Sequence, residues 1–253
     1  MRQALRQPTG IDLKNITVTV LYDNNPYRMD VAAGWGFSCV LKGPEKTILF
    51  DTGGNGTLLL GNMRALGIQP TEIGIIVLSH IHGDHIGGLF SFLRENSKVT
   101  AYLPQSFPMD FKEKIRSYGT EVVEINKAAG ICRDVYSTGE LGVYLEEQAL
   151  IVNTDGGLII ITGCAHPGIV NVVEKAKEVI SKEVLLVSGG FHLLGNSEYE
   201  IQEVASRLKA LGVEYVGPCH CSGDPARALF KKAWGRSFLD VGVGRVITVR
   251  DLE

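Results

Sequence analysis

Seven consecutive residues of this chain contain four side chains that could bind a metal ion. Residues 79–85 have the sequence Ser-His-Ile-His-Gly-Asp-His, which places three imidazoles, at His80, His82 and His85, beside the carboxylate of Asp84. Imidazole nitrogens and carboxylate oxygens are common ligands of divalent metal ions. One histidine alone is more often structural, but burying three beside a carboxylate without a cation would be costly. The segment therefore predicts a metal site.

The residues before this segment indicate how the fold positions it. Residues 74–78, Gly-Ile-Ile-Val-Leu, form a short apolar run that is typical of a buried parallel strand. Ligands of open α/β sheets bind beyond the carboxyl ends of such strands. The other histidines, His166, His192 and His220, also lie in turns that contain glycine or proline. We therefore expect the histidines to serve mainly one site.

The pattern His80-x-His82-x-Asp84-His85 resembles the signature of the metallo-β-lactamase fold. This resemblance implies a four-layer αββα sandwich of the α/β class, in which the first two histidines bind one metal ion and the Asp-His pair binds a second. It implies one or two divalent ions, zinc first, with iron or manganese as alternatives. Asp51, which precedes a Gly-rich loop, matches the family's first motif and is expected to support the site by hydrogen bonds.

Three later segments narrow the resemblance. Gly-Cys-Ala-His-Pro-Gly at 163–168, Ser-Gly-Gly-Phe-His-Leu at 188–193 and Pro-Cys-His-Cys-Ser-Gly-Asp at 218–224 resemble one branch of the superfamily. That branch contains metal-dependent hydrolases and an archaeal dihydropterin-transferring synthase. The resemblance implies a hydrolase or a pterin-type transferase that acts on a phosphorylated or diphosphate-bearing small molecule, with a pterin as one candidate. The alternative is a non-catalytic protein that binds a metal and a pterin or nucleotide.

One position departs from the family pattern. The resemblance places His220 in the fifth motif, whereas the fourth motif normally carries an aspartate that bridges the two metals. Here Cys164 follows the apolar run, and no acidic residue stands there. Either His166 serves as the third motif and the bridging ligand is absent, or the thiolate of Cys164 takes the bridging position, because thiolates bind zinc well. A buried structural cysteine is the other interpretation.

Roles follow for the individual residues. The expected metal ligands are His80, His82, Asp84, His85, His166 and His220. Asp84 would also orient or deprotonate the nucleophile, and His192 is a candidate acid or phosphate contact, with a structural histidine as the alternative. Asn24, Gly190 and Ser222 are candidate substrate contacts, because helix N-termini and glycine turns near the last histidines could hold an anion. Helix capping is the alternative for Ser222.

Composition argues against several functional classes. The 253 residues carry 25 basic and 28 acidic side chains, so their net charge of −3 does not indicate a nucleic-acid partner. No apolar run is long enough to span a membrane. Five cysteines without a CxxC pair, and a first segment 1–8 without the apolar core of a signal peptide, favour a cytoplasmic protein. We expect one domain over 1–253, with an irregular stretch at 126–142 where two halves meet, and the sequence makes no prediction of the oligomeric state.

Overall fold

The computed structural model of the chain describes residues 10–253. Its strands are β1 Thr17–Tyr22, β2 Ser38–Lys42, β3 Thr47–Phe50, β4 Ile73–Val77, β5 Thr100–Pro104, β6 Glu121–Ile125, β7 Lys127–Cys132, β8 Val135–Gly139, β9 Leu150–Thr154, β10 Gly157–Thr162, β11 Val184–Gly190, β12 Tyr215–Cys219 and β13 Val246–Ile247. Its helices are α1 Gly56–Ala65, α2 Gly83–Ile86, α3 Leu89–Glu95, α4 Met109–Arg116, α5 Ile169–Val179, α6 Glu198–Ala210 and α7 Asp224–Trp234.

The strands form two sheets. The first has the order β13-β1-β2-β3-β4-β5-β6, and the second has the order β12-β11-β10-β9-β8-β7. Strands β3 to β6 are parallel to one another, and so are β10, β11 and β12. Because neighbouring parallel strands end at the same edge of a sheet, the loops after β10, β11 and β12 emerge side by side. The segment 79–85 follows β4 in the other sheet.

Apolar side chains cover both faces of each sheet. In β3, Ile48 and Phe50 join a buried cluster between the two sheets, whereas Leu49 packs in a cluster with residues of α1, α3 and α4. In β10, Ile159 joins the cluster between the sheets, and Ile160 packs with residues of α5, α6 and α7. Sheets that are apolar on both faces need helices over their outer surfaces. The predicted four-layer αββα sandwich is therefore confirmed.

The stretch 126–142 differs from the expectation. It holds β7 and β8, which pair as an antiparallel hairpin, so the prediction of an irregular segment was wrong. Strand β7 lies at the edge of its sheet and is largely exposed, with Ala128, Ala129 and Gly130 near its centre. Small residues on an exposed edge strand give little β-branched or alternating signal. The single domain over 1–253 stays a prediction.

Two expectations concern the surroundings of the protein. Within residues 10–253, no helix combines the length and the hydrophobicity needed to cross a membrane. The segment 1–8, on which the expected lack of a signal peptide rests, lies outside the described residues.

Candidate metal centre

Three histidines converge in what we call the imidazole set, which consists of His80, His82 and His166. Their ligand atoms lie within 4.8 Å of one another, and His80 Nε2 is 3.1 Å from His82 Nδ1. His166 Nε2 is buried and has no hydrogen-bond partner. Burial lowers the pKa of His166 to about 4, with a smaller contribution from neighbouring histidines. A neutral imidazole with a buried, unpartnered nitrogen suits a metal ligand.

A second group, the mixed set, consists of Asp84, His85 and His220. His220 Nε2 lies 3.3 Å from both His85 Nε2 and Asp84 Oδ2, and His85 Nε2 lies 3.7 Å from the same carboxylate oxygen. Burial favours a raised pKa for Asp84, but the hydrogen bond from His220 and the charges of both histidines outweigh it and lower that pKa. The mixed set therefore presents an anionic oxygen and two ring nitrogens around one point.

Two side chains behind the mixed set fix the orientation of its rings. His85 Nδ1 donates to Asp51 Oδ2 at 2.7 Å, and His220 Nδ1 donates to Asn24 Oδ1 at 2.9 Å. Both Nε2 atoms are thereby turned toward the Asp84 carboxylate. Asp51 also accepts the backbone N–H and the hydroxyl of Ser79, each at 2.7 Å. These are the supporting hydrogen bonds expected of Asp51.

Cys164, the residue that departs from the family pattern, lies beside the mixed set. Cys164 is buried, and its Sγ is 3.2 Å from His85 Nε2. His166, two residues later, instead joins the imidazole set. The structure therefore places His166 with His80 and His82, and it places the Cys164 thiol beside the mixed set.

The loop that carries Cys164 and His166 is held by a residue that sequence reasoning missed. Glu147 is buried, and its carboxylate accepts the backbone N–H groups of Cys164, Ala165 and His166 at 2.8, 2.9 and 2.8 Å. Burial raises the pKa of Glu147, although these hydrogen bonds and His85 oppose the rise. No local pattern marks this residue, because its partners are 17–19 positions away.

Gln148, the residue after Glu147, forms hydrogen bonds with the residue that follows the first sheet's strand β4 and with the start of segment 79–85. Gln148 is also buried, its backbone N–H donates to Ser79 O at 3.0 Å, and its side chain donates to Leu78 O at 2.8 Å. Residues 147 and 148 therefore connect the loop that carries Cys164 with the start of the histidine segment.

Comparison with known proteins identifies the family of this chain. The family model described as the metallo-β-lactamase superfamily matches residues 36–179, which is more than half of the 253 residues. The chain belongs to the metallo-β-lactamase superfamily. This confirms the resemblance drawn from the sequence. Membership and the two ligand sets together indicate that the protein binds divalent metal.

Relatives within the metallo-β-lactamase superfamily share most of the chain. It is 29% identical to the 7,8-dihydropterin-6-methyl-4-(β-D-ribofuranosyl)-aminobenzene-5′-phosphate synthase of Methanocaldococcus jannaschii, over 88% of this chain and 92% of the relative. It is 31% identical to an uncharacterized protein of the same archaeon, over 92% and 100%. Among solved structures, Tm1679, a metal-dependent hydrolase of the β-lactamase superfamily, matches with a TM-score of 0.78 and 27% identity, over 92% and 98%.

The three expected substrate contacts lie close to the superfamily's metal site but are used in other ways. The hydroxyl of Ser222 is buried, donates to Cys219 O at 2.7 Å and accepts the N–H of Phe191, so it is not available to a substrate or as a helix cap. Both polar groups of Asn24 bond to His220. These bonds favour a positioning role for Asn24 and argue against Ser222 as a substrate contact.

The third of these residues, Gly190, is also buried. A Cβ atom there would lie 2.4 Å from Gly163 O and 2.7 Å from Cys221 Sγ. Its backbone N–H donates to Gly163 O, and its carbonyl accepts the hydroxyl of Thr162. Gly190 therefore permits close packing of two loops and offers no free backbone group to a substrate.

His192 lies at the edge of the site. Its ring is exposed, and the ring centroid is 4.2 Å from that of His166. A hydrogen bond with Cys221 raises the pKa of His192 against the opposing effect of burial. Its proposed part as an acid or phosphate contact stays a prediction.

A cavity of about 500 Å³ opens beside the mixed set. Its lining includes Asn24, Trp35, Leu194, His220 and Arg227. The Trp35 ring is 52% exposed, and its centroid lies 4.9 Å from that of His220. Two other cavities, of about 510 and 720 Å³, are lined by none of the histidines, so the one beside His220 is the candidate substrate site.

Proposed function

We propose that this protein is a metal-dependent enzyme that acts on a phosphorylated or diphosphate-bearing small molecule, with a dihydropterin as the first candidate. The observation that carries the proposal is the pair of adjacent ligand sets beside a cavity with an exposed indole ring. The dihydropterin candidate comes from the relative whose name describes such a synthase.

The imidazole and mixed sets would each hold one divalent ion, with zinc as the first candidate and iron or manganese as alternatives. The unpartnered His166 Nε2 and the paired Nε2 atoms of His85 and His220 support this assignment. Ions bound there would neutralise negative charge on the phosphate oxygens of a substrate.

The protein's own residues would position and activate the reacting groups. Asp84 is 23% exposed at its side chain, so its carboxylate can reach both the mixed set and a bound substrate. We propose that it orients the nucleophile or accepts its proton. His192 would contact a phosphate oxygen or supply a proton from the rim of the site.

The cavity would hold the organic part of the substrate. A planar heteroaromatic ring can stack on the exposed face of Trp35, and Leu194 adds an apolar contact. Helix α7 begins at Asp224 in the wall of this cavity, and the positive end of its dipole would favour an anion there. Trp35 is thus a candidate substrate contact that the sequence did not reveal.

Two reactions fit such a site. In hydrolysis, water attacks phosphorus and a phosphate ester or anhydride bond breaks. In a synthase reaction, the nitrogen of an arylamine attacks the methylene carbon on the pterin, the carbon–oxygen bond to the diphosphate breaks, and diphosphate leaves with the electron pair. The nitrogen then loses a proton, for which Asp84 is the candidate acceptor.

The test uses the full chain reconstituted separately with zinc, iron or manganese. Each form is incubated with a dihydropterin that carries a diphosphate on its 6-methyl group, with and without a ribofuranosyl-aminobenzene phosphate. Mass spectrometry follows the joined product and released diphosphate, and a panel of phosphodiesters tests hydrolysis. We expect metal-dependent turnover that falls strongly in Asp84→Asn.

One observation favours a second candidate, a non-catalytic protein that binds metal and a pterin or nucleotide. Cys164 stands where a bridging carboxylate was expected, and it is buried. Tight, metal-dependent binding of the dihydropterin diphosphate without turnover in any metal form would favour this candidate and overturn the enzymatic proposal.

A further inference from the structure

Another group of metal-binding side chains lies next to the two sets. We call it the thiol cluster, and it consists of Cys164, His192 and Cys221. Its ligand atoms lie within 4.8 Å of one another. One member follows each of the neighbouring strands β10, β11 and β12. Its two thiols serve no step of the reaction proposed above.

The packing around these thiols brings them together. Cys164 and Cys221 are 3% and 4% exposed, and Cys221 Sγ lies 3.7 Å from Cys164 O. Gly190 makes room for this approach, since any Cβ there would be 2.7 Å from Cys221 Sγ. His192, whose ring is exposed, has a left-handed backbone with φ of 52°. Non-glycine residues rarely adopt this conformation, and such strain concentrates at functional sites.

The chemistry of the cluster suits a soft divalent ion. Two thiolates and one imidazole form a ligand set that zinc accepts, with a fourth position open for a further ligand. Tetrahedral zinc with the usual bond lengths separates its protein ligand atoms by about 3.3–3.8 Å, so only a modest inward shift is needed. Two thiolates also balance the charge of a divalent ion, so an ion there adds no net charge beside the other two sets.

We propose that the thiol cluster binds a third divalent ion of the zinc or cadmium class. Cys164 then lies between the mixed set and this third site. The thiols lose their protons as the ion binds. The site goes beyond the proposed function, and it uses His192 as a metal ligand in place of the acid or phosphate contact proposed above.

The experiment titrates cadmium into the metal-free full chain. Bound metal per chain is counted by mass spectrometry of the elements after gel filtration, and thiolate-to-cadmium absorption is followed in the ultraviolet. Wild type should bind three equivalents. His192→Asn and Cys221→Ser should each bind two, and Cys221→Ser should also lose part of the ultraviolet absorption.

The choice of variants keeps the result interpretable. Asparagine tolerates the left-handed backbone of residue 192, so His192→Asn should fold even if the buried Cys221→Ser does not. Cys132→Ser, at a thiol outside the cluster, is the matched control and should keep three equivalents. Binding of only two equivalents by wild type, or of three by His192→Asn, would overturn the third site. Neither result depends on turnover, so the proposed function is tested separately.

Discussion

The two sheets contribute to the metal centre in different ways. The first sheet supplies four ligand-type side chains from the single segment 79–85 after β4. The second sheet supplies its ligand-type side chains from three loops, after β10, β11 and β12, which only the sheet order brings together. The first contribution is local in sequence, whereas the second depends on long-range packing.

The backbone reflects the same difference. Ala165, His192 and His220, one in each loop of the second sheet, have φ values of 59°, 52° and 48°. No residue of 79–85 has a positive φ, although Asp51, which supports the site from the loop after β3, has a φ of 53°. The second sheet thus holds its part of the site in conformations that cost free energy, and the surrounding contacts must stabilise them.

The largest effects should come from removing one ligand of the imidazole set from each sheet. His82→Ala and His166→Ala should both lose the same equivalent of metal and more than about 100-fold of turnover, because loss of a mere supporting partner already costs roughly 10–100-fold. Metal analysis and steady-state kinetics measure this. His82 is exposed, so its variant should stay folded. If either variant keeps wild-type metal content, the two sheets do not share that ion. Tyr144→Ala, which changes a fully exposed residue, is the control and should keep wild-type metal content.

The next largest effect should come from weakening the hydrogen bond between Asp51 and the ligand His85 of the first sheet. Asp51→Asn retains the shape of the side chain but weakens the acceptor for His85 Nδ1 and the Ser79 hydroxyl. Metal affinity of the mixed set should fall roughly 10–100-fold, with the fold retained. Competition with a chelator gives the affinity. An unchanged metal affinity would show that His85 needs no such support. Asp30→Asn, at an exposed ion pair, is the control and should leave the metal affinity unchanged.

A smaller effect tests the packing of the second sheet's loops. Gly190→Ala places a Cβ against Gly163 O and Cys221 Sγ, and overpacking of this kind costs about 1–3 kcal/mol. Denaturant unfolding should therefore show a lower midpoint. A wild-type free energy of unfolding would mean that these loops are less tightly packed than their distances indicate.

The smallest expected effect is an increase in stability, from a substitution in segment 79–85 of the first sheet. Gly83 starts α2, its φ is not positive, and a Cβ there meets no atom within 4 Å. Gly83→Ala should stabilise the protein by about 0.4–1 kcal/mol, because it reduces the freedom of the unfolded chain. The same unfolding measurement compares it with Gly190→Ala, and destabilisation by both would remove the contrast between the sheets.

The site features that could be predicted most directly from the sequence are those of the first sheet's local segment, and several that could not be predicted depend on long-range contacts. The segment 79–85 and the apolar run before it are local patterns, and both were recognisable. Glu147 could not be found, because it acts through three backbone groups in a distant loop. Ser222 was misjudged for a related reason: its hydroxyl bonds to Cys219 and Phe191, and the second of these is 31 positions away.

The hairpin formed by β7 and β8 was missed because its edge strand has small, exposed residues, so the usual alternation of apolar side chains is weak. The indole of Trp35 was missed because nothing in its neighbours marks an exposed ring beside His220.

The adjacent residues Glu147 and Gln148 also bear on the order in which the chain folds. Gln148 bonds to Leu78 across 70 positions, and Glu147 then organises the loop at 164–166. Contacts between residues so far apart form slowly, because a long loop must close first. The histidine segment can take shape early, but the full set of ligands is assembled only when this dipeptide docks. Uptake of metal during refolding should therefore lag behind the recovery of helix and strand.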